Sequence, residues 1–113
     1  MRLLISHGAD VNTPSKAGFF PIHSAALLGN PEIVNLFLDS GADVDCRVSG
    51  TGETPLYYAS SFGRTNTVQL LLERGADINK VDKRGITPLA AALAAGQTEV
   101  ANLLRARSSH NKY

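Results

Sequence analysis

The 113-residue chain has a single cysteine, Cys46, so it can form no internal disulfide and nothing in it calls for an oxidising compartment. Charge of one sign is scarce too. Eleven Lys and Arg stand against ten Asp and Glu, a net charge of +1. That balance sets up no field to draw the whole molecule onto nucleic acid or an anionic membrane. No apolar run approaches the roughly 20 residues that span a bilayer. The opening Met1-Arg2-Leu3-Leu4-Ile5-Ser6-His7 is too short in apolar residues for a signal peptide, and no small-residue cleavage site follows. The default setting is therefore cytoplasmic or nuclear. A secreted effector that acts inside a host cell would look the same.

Chemistry-bearing patterns are equally sparse. His7, His23, His110 and Cys46 keep no spacing that would gather around four zinc ligands. A Cys–His nucleophile would need an orienting partner that no motif supplies. The glycines form neither GxxxxGK[ST] nor GxGxxG after a strand, so they read as turn and cap residues. No catalytic residue, cofactor or metal site is expected, and the chain does not read as an enzyme.

What is present is repetition. Gly8-Ala9-Asp10 recurs as Gly41-Ala42-Asp43 and Gly75-Ala76-Asp77, at spacings of 33 and 34 residues. Thr54-Pro55-Leu56 recurs as Thr87-Pro88-Leu89, with Phe20-Pro21-Ile22 at the matching place upstream. Gly29, Gly63 and Gly96 keep the same period. Gly41 to Gly52 is one residue longer than Gly8 to Gly18 or Gly75 to Gly85, which puts the extra residue in the loop Asp45–Thr51. Exposed connections tolerate such insertions best.

Each period reads as two helices and a turn. Thr54 suits an N-cap and Pro55 the first helical turn. A short helix runs to Phe62 and ends at Gly63. The stretch Thr67–Leu72 is apolar over a stripe wider than a surface helix needs, so it is sandwiched between neighbours. The polar remainder, Ala76 to Gly85, is long enough for an extended hairpin. One such unit cannot bury its own apolar face, and so units must stack.

This pattern resembles the ankyrin repeat. The residues that carry the resemblance are Gly85-x-Thr87-Pro88-Leu89-x-x-Ala92, Gly52-x-Thr54-Pro55-Leu56-Tyr57-x-Ala59 and Gly29-x-x-Glu32-Ile33-Val34-x-Leu36-Phe37-Leu38-x-x-Gly41-Ala42-Asp43-Val44. It implies an all-α solenoid of stacked antiparallel helix pairs joined by hairpin-like loops. The expected organisation is a partial repeat at 1–14 (a second helix only), repeats at 15–48 and 49–81, and a C-terminal capping repeat at 82–113. The chain opens partway through a repeat, as a fragment of a longer array or as an incomplete cap. At the other end Arg105, Arg107 and Lys112 make a basic edge, read as a solvated cap or as a contact for an acidic partner.

The resemblance also implies a function, binding another protein. The usual face is the concave side, built of hairpin tips and the exposed faces of the first helices. Carried over to this chain, that face holds Phe19, Arg47, Glu53, Tyr58, Phe62, Lys83, Arg84 and Ile86, with Tyr58 and Phe62 as central anchors. Aromatic groups beside arginine are what protein hot spots are made of. The finger positions Lys16, Val48, Thr51 and Lys80 extend it, and the alanine run of the third repeat offers a shallow seat for a bulky group. His23 falls on the family's Thr-Pro-Leu-His position, which implies a structural hydrogen bond between neighbouring turns. Asn79 and Asn12, in their Asp-Ile-Asn and Asp-Val-Asn settings, resemble sites of asparaginyl hydroxylation. Two further readings are a regulatory or substrate-docking segment of a larger enzyme, channel or signalling protein, and self-association through an apolar edge at Leu3, Leu4 and Ile5.

Overall fold

A computed structural model describes residues 14–110. Among the described residues six helices follow in pairs: α1 (Pro21–Leu28) with α2 (Pro31–Asp39), α3 (Pro55–Ser61) with α4 (Thr65–Glu73), and α5 (Pro88–Ala94) with α6 (Thr98–His110). The described residues form no strand. The first helices pack in a row, α1 on α3 and α3 on α5, and the second helices pack in a parallel row behind them. Partial repeat 1–14, with Asn12 and the Leu3–Ile5 edge, lies almost wholly outside the described residues.

Local sequence accounts for the start of each first helix. Each first helix has proline in its first turn, where the missing N–H costs nothing. Thr54 Oγ1 accepts from the Tyr57 N–H at 3.1 Å and Thr87 Oγ1 from the Ala90 N–H at 3.1 Å, as the repeated threonine implies. Phe20 stands at the equivalent position without a side-chain cap. There His23 compensates in part, its Nδ1 accepting the Phe20 N–H at 3.0 Å.

Ile22, Val34, Leu56, Val68, Leu71, Val100 and Leu104 form a continuous core between the two rows. Each repeat is then tied to the next by hydrogen bonds. His23 Nε2 donates to the Cys46 carbonyl at 2.7 Å, and the Ser49 N–H donates to the Gly18 carbonyl at 3.1 Å. Arg64 Nε donates to the Leu27 carbonyl at 2.9 Å, and Gln97 Nε2 repeats that tie one repeat later, to the Ser61 carbonyl at 3.2 Å. Both side chains pass over a glycine that ends the preceding first helix. A Cβ on Gly29 would sit 2.5 Å from Arg64 Cδ, and one on Gly63 would sit 2.4 Å from Gln97 Oε1. Arg74 also reaches back to Asp39, at 3.0 Å, and to Asn35.

Between the helix pairs the chain makes tight fingers. Ser15 N–H bonds the Phe19 carbonyl and Asp82 N–H the Ile86 carbonyl, four residues on, whereas Val48 N–H bonds the Glu53 carbonyl, five residues on. The extra residue of the second repeat therefore lies inside the finger tip, where Gly50 and Gly52 both take positive φ, 91° and 85°. The outer face of α5 is not wholly polar. Leu93 is 49% exposed, although Ala26 and Ser60 at the same repeat position are fully buried.

Candidate functional site

The face made of the fingers and the first helices has two seams, and the sequence fills them differently. In the first seam Tyr58 from α3 lies among Phe19 of the first finger, His23 of α1 and its neighbour Tyr57. The ring centroids are 5.5, 5.9 and 5.4 Å away. Its hydroxyl donates to Glu53 Oε1 at 3.3 Å. Burial, and after it the Glu53 carboxylate, push the Tyr58 hydroxyl above the usual phenol range. So the seam between α1 and α3 is packed with aromatic rings of the chain itself.

The second seam, between α3 and α5, is open. A cavity of about 450 Å³ lies there, lined by Tyr57, Ser61, Arg84, Ile86 and the alanines 90, 91, 94 and 95. Ala91 occupies in α5 the repeat position that Tyr58 occupies in α3, 33 residues earlier. Where the first seam holds a ring, the second holds a methyl group.

Arg84 stands on the wall of this cavity in a fixed pose. Asp82 Oδ2 accepts from its Nε at 3.1 Å and from its Nη2 at 2.8 Å, and Nη2 also reaches the Tyr57 hydroxyl at 3.0 Å. Glu53 lies 3.8 Å away as a longer ion pair. Asp82 is covered by its own loop and by the guanidinium. Burial alone would raise its carboxyl pKa, but bonds from the Ile86 and Arg84 backbone N–H groups and from the Arg84 side chain outweigh it and hold it below the ordinary range.

The expected contact residues divide accordingly. Arg84 and Ile86 line the open seam. Phe62, at the C-terminal end of α3, is 46% exposed, and Lys83 and Arg47 are exposed on the fingers. Arg47 is held across them, its Nε donating to the Gly52 carbonyl at 3.1 Å and its Nη2 to the Val81 carbonyl at 3.2 Å. Phe19 and Tyr58 are half-buried against each other. Two finger residues expected at the surface face inward instead. Glu53 is buried because Thr51, Tyr58 and Arg84 all converge on its carboxylate. Val48 is buried at the base of its finger. Tyr57, which shapes the cavity, was not among the expected residues. The signal was present, since it puts a large ring at the family's histidine position opposite the small Ala90 and Ala91.

His23 does what its position in the repeat implies. With Nδ1 accepting and Nε2 donating, the ring is the neutral Nε2–H tautomer, and burial lowers its pKa against the opposing pull of Cys46 and Glu53. Cys46 is half-buried, and that burial, with Asp43 nearby, raises its thiol pKa to about 11. Asn79 is exposed, its backbone N–H bonded to Asp77 Oδ1 at 2.9 Å. Among the described residues no group of His, Cys, Asp and Glu is placed to hold a metal ion, and no helix is long and apolar enough to cross a membrane.

Comparison with known proteins agrees with this architecture. A family model described as ankyrin repeats in many copies matches residues 22–72 and 61–105. Alpha-latrotoxin-Lg1a of Latrodectus geometricus is 43% identical over 89 residues, 78% of this chain and 6% of that protein. Alpha-latrotoxin-Lt1a of Latrodectus tredecimguttatus is 37% identical over 94 residues, 82% of this chain and 7% of that protein. Human protein phosphatase 1 regulatory subunit 27 is 38% identical over 45 residues, 40% of this chain and 29% of that protein. The chain thus spans less than a tenth of the latrotoxins it matches. Ankyrin repeats are in general modules that bind other proteins. With its paired helices, capped by repeated threonines and stacked through glycine-gated ties, this chain belongs to the ankyrin-repeat family.

Proposed function

We propose that this chain is a protein-interaction module that docks its partner on the face of fingers and first helices, the concave side of such stacks. The observation that carries this reading is the open seam between α3 and α5. It is an open groove of about 450 Å³ lined by residues of a finger and of both first helices. The exposed ring of Phe62 and the cations Arg47, Lys83 and Arg84 lie on the same elements. Phe62 is the apolar anchor still free for a partner, and Tyr58 acts by holding the first seam rigid. Such pre-organisation reduces the ordering cost of association.

A photo-reactive amino acid placed at Ala94, on this face, and at Gln69, exposed on α4, tests the site. Crosslinking to a partner from position 94 and not from 69 supports it. Equal crosslinking from both, or from 69 alone, rejects it. A second reading is that the stack docks a substrate or regulator for a larger protein of which it is a part. It is favoured by the small fraction of the latrotoxins that the chain covers, and by a relative whose name makes it a phosphatase regulatory subunit.

A further inference from the structure

The two seams of this face are the same repeat interface built twice, and the first shows what the second lacks. In the first, the Tyr58 ring lies 5.9 Å from His23 and its hydroxyl bonds Glu53. In the second, Tyr57 takes the place of His23, and Ala91 takes the place of Tyr58. The groove is lined in part by Ala91, at the repeat position where the first seam has a ring. Its floor is alanine and its far wall Ile86, so its occupant has an apolar body.

The polar rim specifies the rest. Arg84 spends its Nε and Nη2 on Asp82 and Tyr57, while Nη1 has no partner among the described residues. The Ser61 hydroxyl, also on the cavity wall, is likewise unmatched among them. The acids nearest the site, Asp82 and Glu53, are buried and turned inward, whereas Lys83 and Arg84 are exposed. A partner approaching the seam therefore meets two cations and two unmatched donors. A pinned guanidinium with a free edge suits a carboxylate.

We propose that this seam receives an aromatic side chain of a partner protein, carried next to an acidic residue. The ring enters the seat equivalent to that of Tyr58, and the carboxylate meets Arg84 Nη1 and Ser61. This rests on the docking face proposed above and names what that face takes.

The test uses the full chain and three blocked dipeptides: acetyl-Tyr-Glu-amide, acetyl-Tyr-Lys-amide and acetyl-Ala-Glu-amide. Binding is read from the methyl resonances of Ala91, Ala94 and Ile86 and from Arg84 Nε–H. The first peptide shifts these signals saturably. Losing the carboxylate weakens it by about tenfold, as the loss of one charge-assisted bond would, and losing the ring weakens it by about as much through lost apolar burial. Arg84→Gln, checked for its helical fold by circular dichroism because Asp82 loses two bonds from the guanidinium, brings Tyr-Glu down to the level of Tyr-Lys. Ala91→Phe, checked for its helical fold by circular dichroism because Ala91 is buried, fills the seat from within and brings Tyr-Glu down to the level of acetyl-Ala-Glu-amide. Equal binding of Tyr-Glu and Tyr-Lys, unchanged binding to Ala91→Phe, or shifts confined to residues outside the seam overturn the proposal. Inorganic phosphate displacing Tyr-Glu as well as acetyl-Ala-Glu-amide does would also overturn it, because the site would then read charge alone. Failure here with crosslinking from position 94 intact removes the ligand class and keeps the docking face. Failure of the crosslinking removes both.

Discussion

Replacing His23 with leucine should lower stability by about 3 kcal/mol. The ring is fully buried, and both of its nitrogens are engaged, one with the Phe20 N–H and one with the Cys46 carbonyl. Leucine orphans both groups, at a cost of about 1 kcal/mol or more each. It also loses edge contacts with Phe19 and Tyr58, together worth about another 1 kcal/mol. For a chain of this size the melting temperature falls by more than about 10 °C. His23→Gln, which keeps a donor for Cys46, should lose less. Urea unfolding followed by circular dichroism at pH 7.5 gives both values.

The same residue sets a pH dependence. Its folded-state pKa lies below the ordinary 6.5. Just below pH 6.5 the unfolded chain therefore binds more protons at this position than the folded one. Stability is flat with respect to this group above pH 6.5. It declines as the pH falls from there toward the folded pKa, at up to about 1.4 kcal/mol per pH unit. Asp82, whose folded pKa is depressed, contributes stability that is lost only at lower pH, through the carboxylate range. Between pH 6.5 and 5 the slope should thus be much reduced in His23→Leu. A leucine variant within 1 kcal/mol of the parent, or one with the same slope in that window, would refute the reasoning.

Four other outcomes are expected. Gly29→Ala should cost more than Gly41→Ala: both have positive φ, 77° and 105°, but only the former meets Arg64 Cδ, at 2.5 Å. Arg64→Ala, which loses the Leu27 tie, should combine with Gly29→Ala less than additively in a double-mutant cycle, because each breaks the same contact. With its pKa raised from 9.0 to about 11, Cys46 should react with iodoacetamide at pH 8 about a hundredfold more slowly than an ordinary thiol and recover on unfolding; an ordinary rate in the folded chain contradicts that. Amide hydrogen exchange should be faster in α1 than in α3, because Phe20 leaves α1 without the side-chain cap that Thr54 gives α3; greater protection of α1 would reject this.

Much of the fold was legible in single residues. Proline marked where each first helix begins, with threonine before it in two of the three, glycine marked where it ends, and the repeat aligned Ile22 with Leu56, both of which are in the core. The interaction face was legible only in outline. Periodicity shows which positions do not repeat, but not how an unrepeated residue is used. Glu53 looked like a surface acid, yet three donors of its own chain turn it inward. Tyr58 looked like an anchor for a partner, yet Phe19 from the previous finger closes over it. Conversely, the alanine run of the third repeat was expected to offer a shallow seat, and Ala90, Ala91, Ala94 and Ala95 do line the open groove, but the facing wall from Tyr57 was not foreseen. Such outcomes depend on which side chains of neighbouring fingers and helices meet, as Arg84 meets Glu53 and Phe19 meets Tyr58, and the repeat pattern does not encode those pairings.

The cross-repeat ties have a mechanical consequence. Arg64 and Gln97 each reach one repeat back and stop there, and the Ser49 and Lys83 N–H groups do the same between fingers. Under tension from its ends the stack is a set of links in series. Each interface carries the whole load, while the ties inside one interface share it. Rupture of one link leaves the next geometrically intact, so the chain would lengthen in steps of one repeat, each releasing about 11 nm of extended backbone for 33 residues at ~3.4 Å apiece.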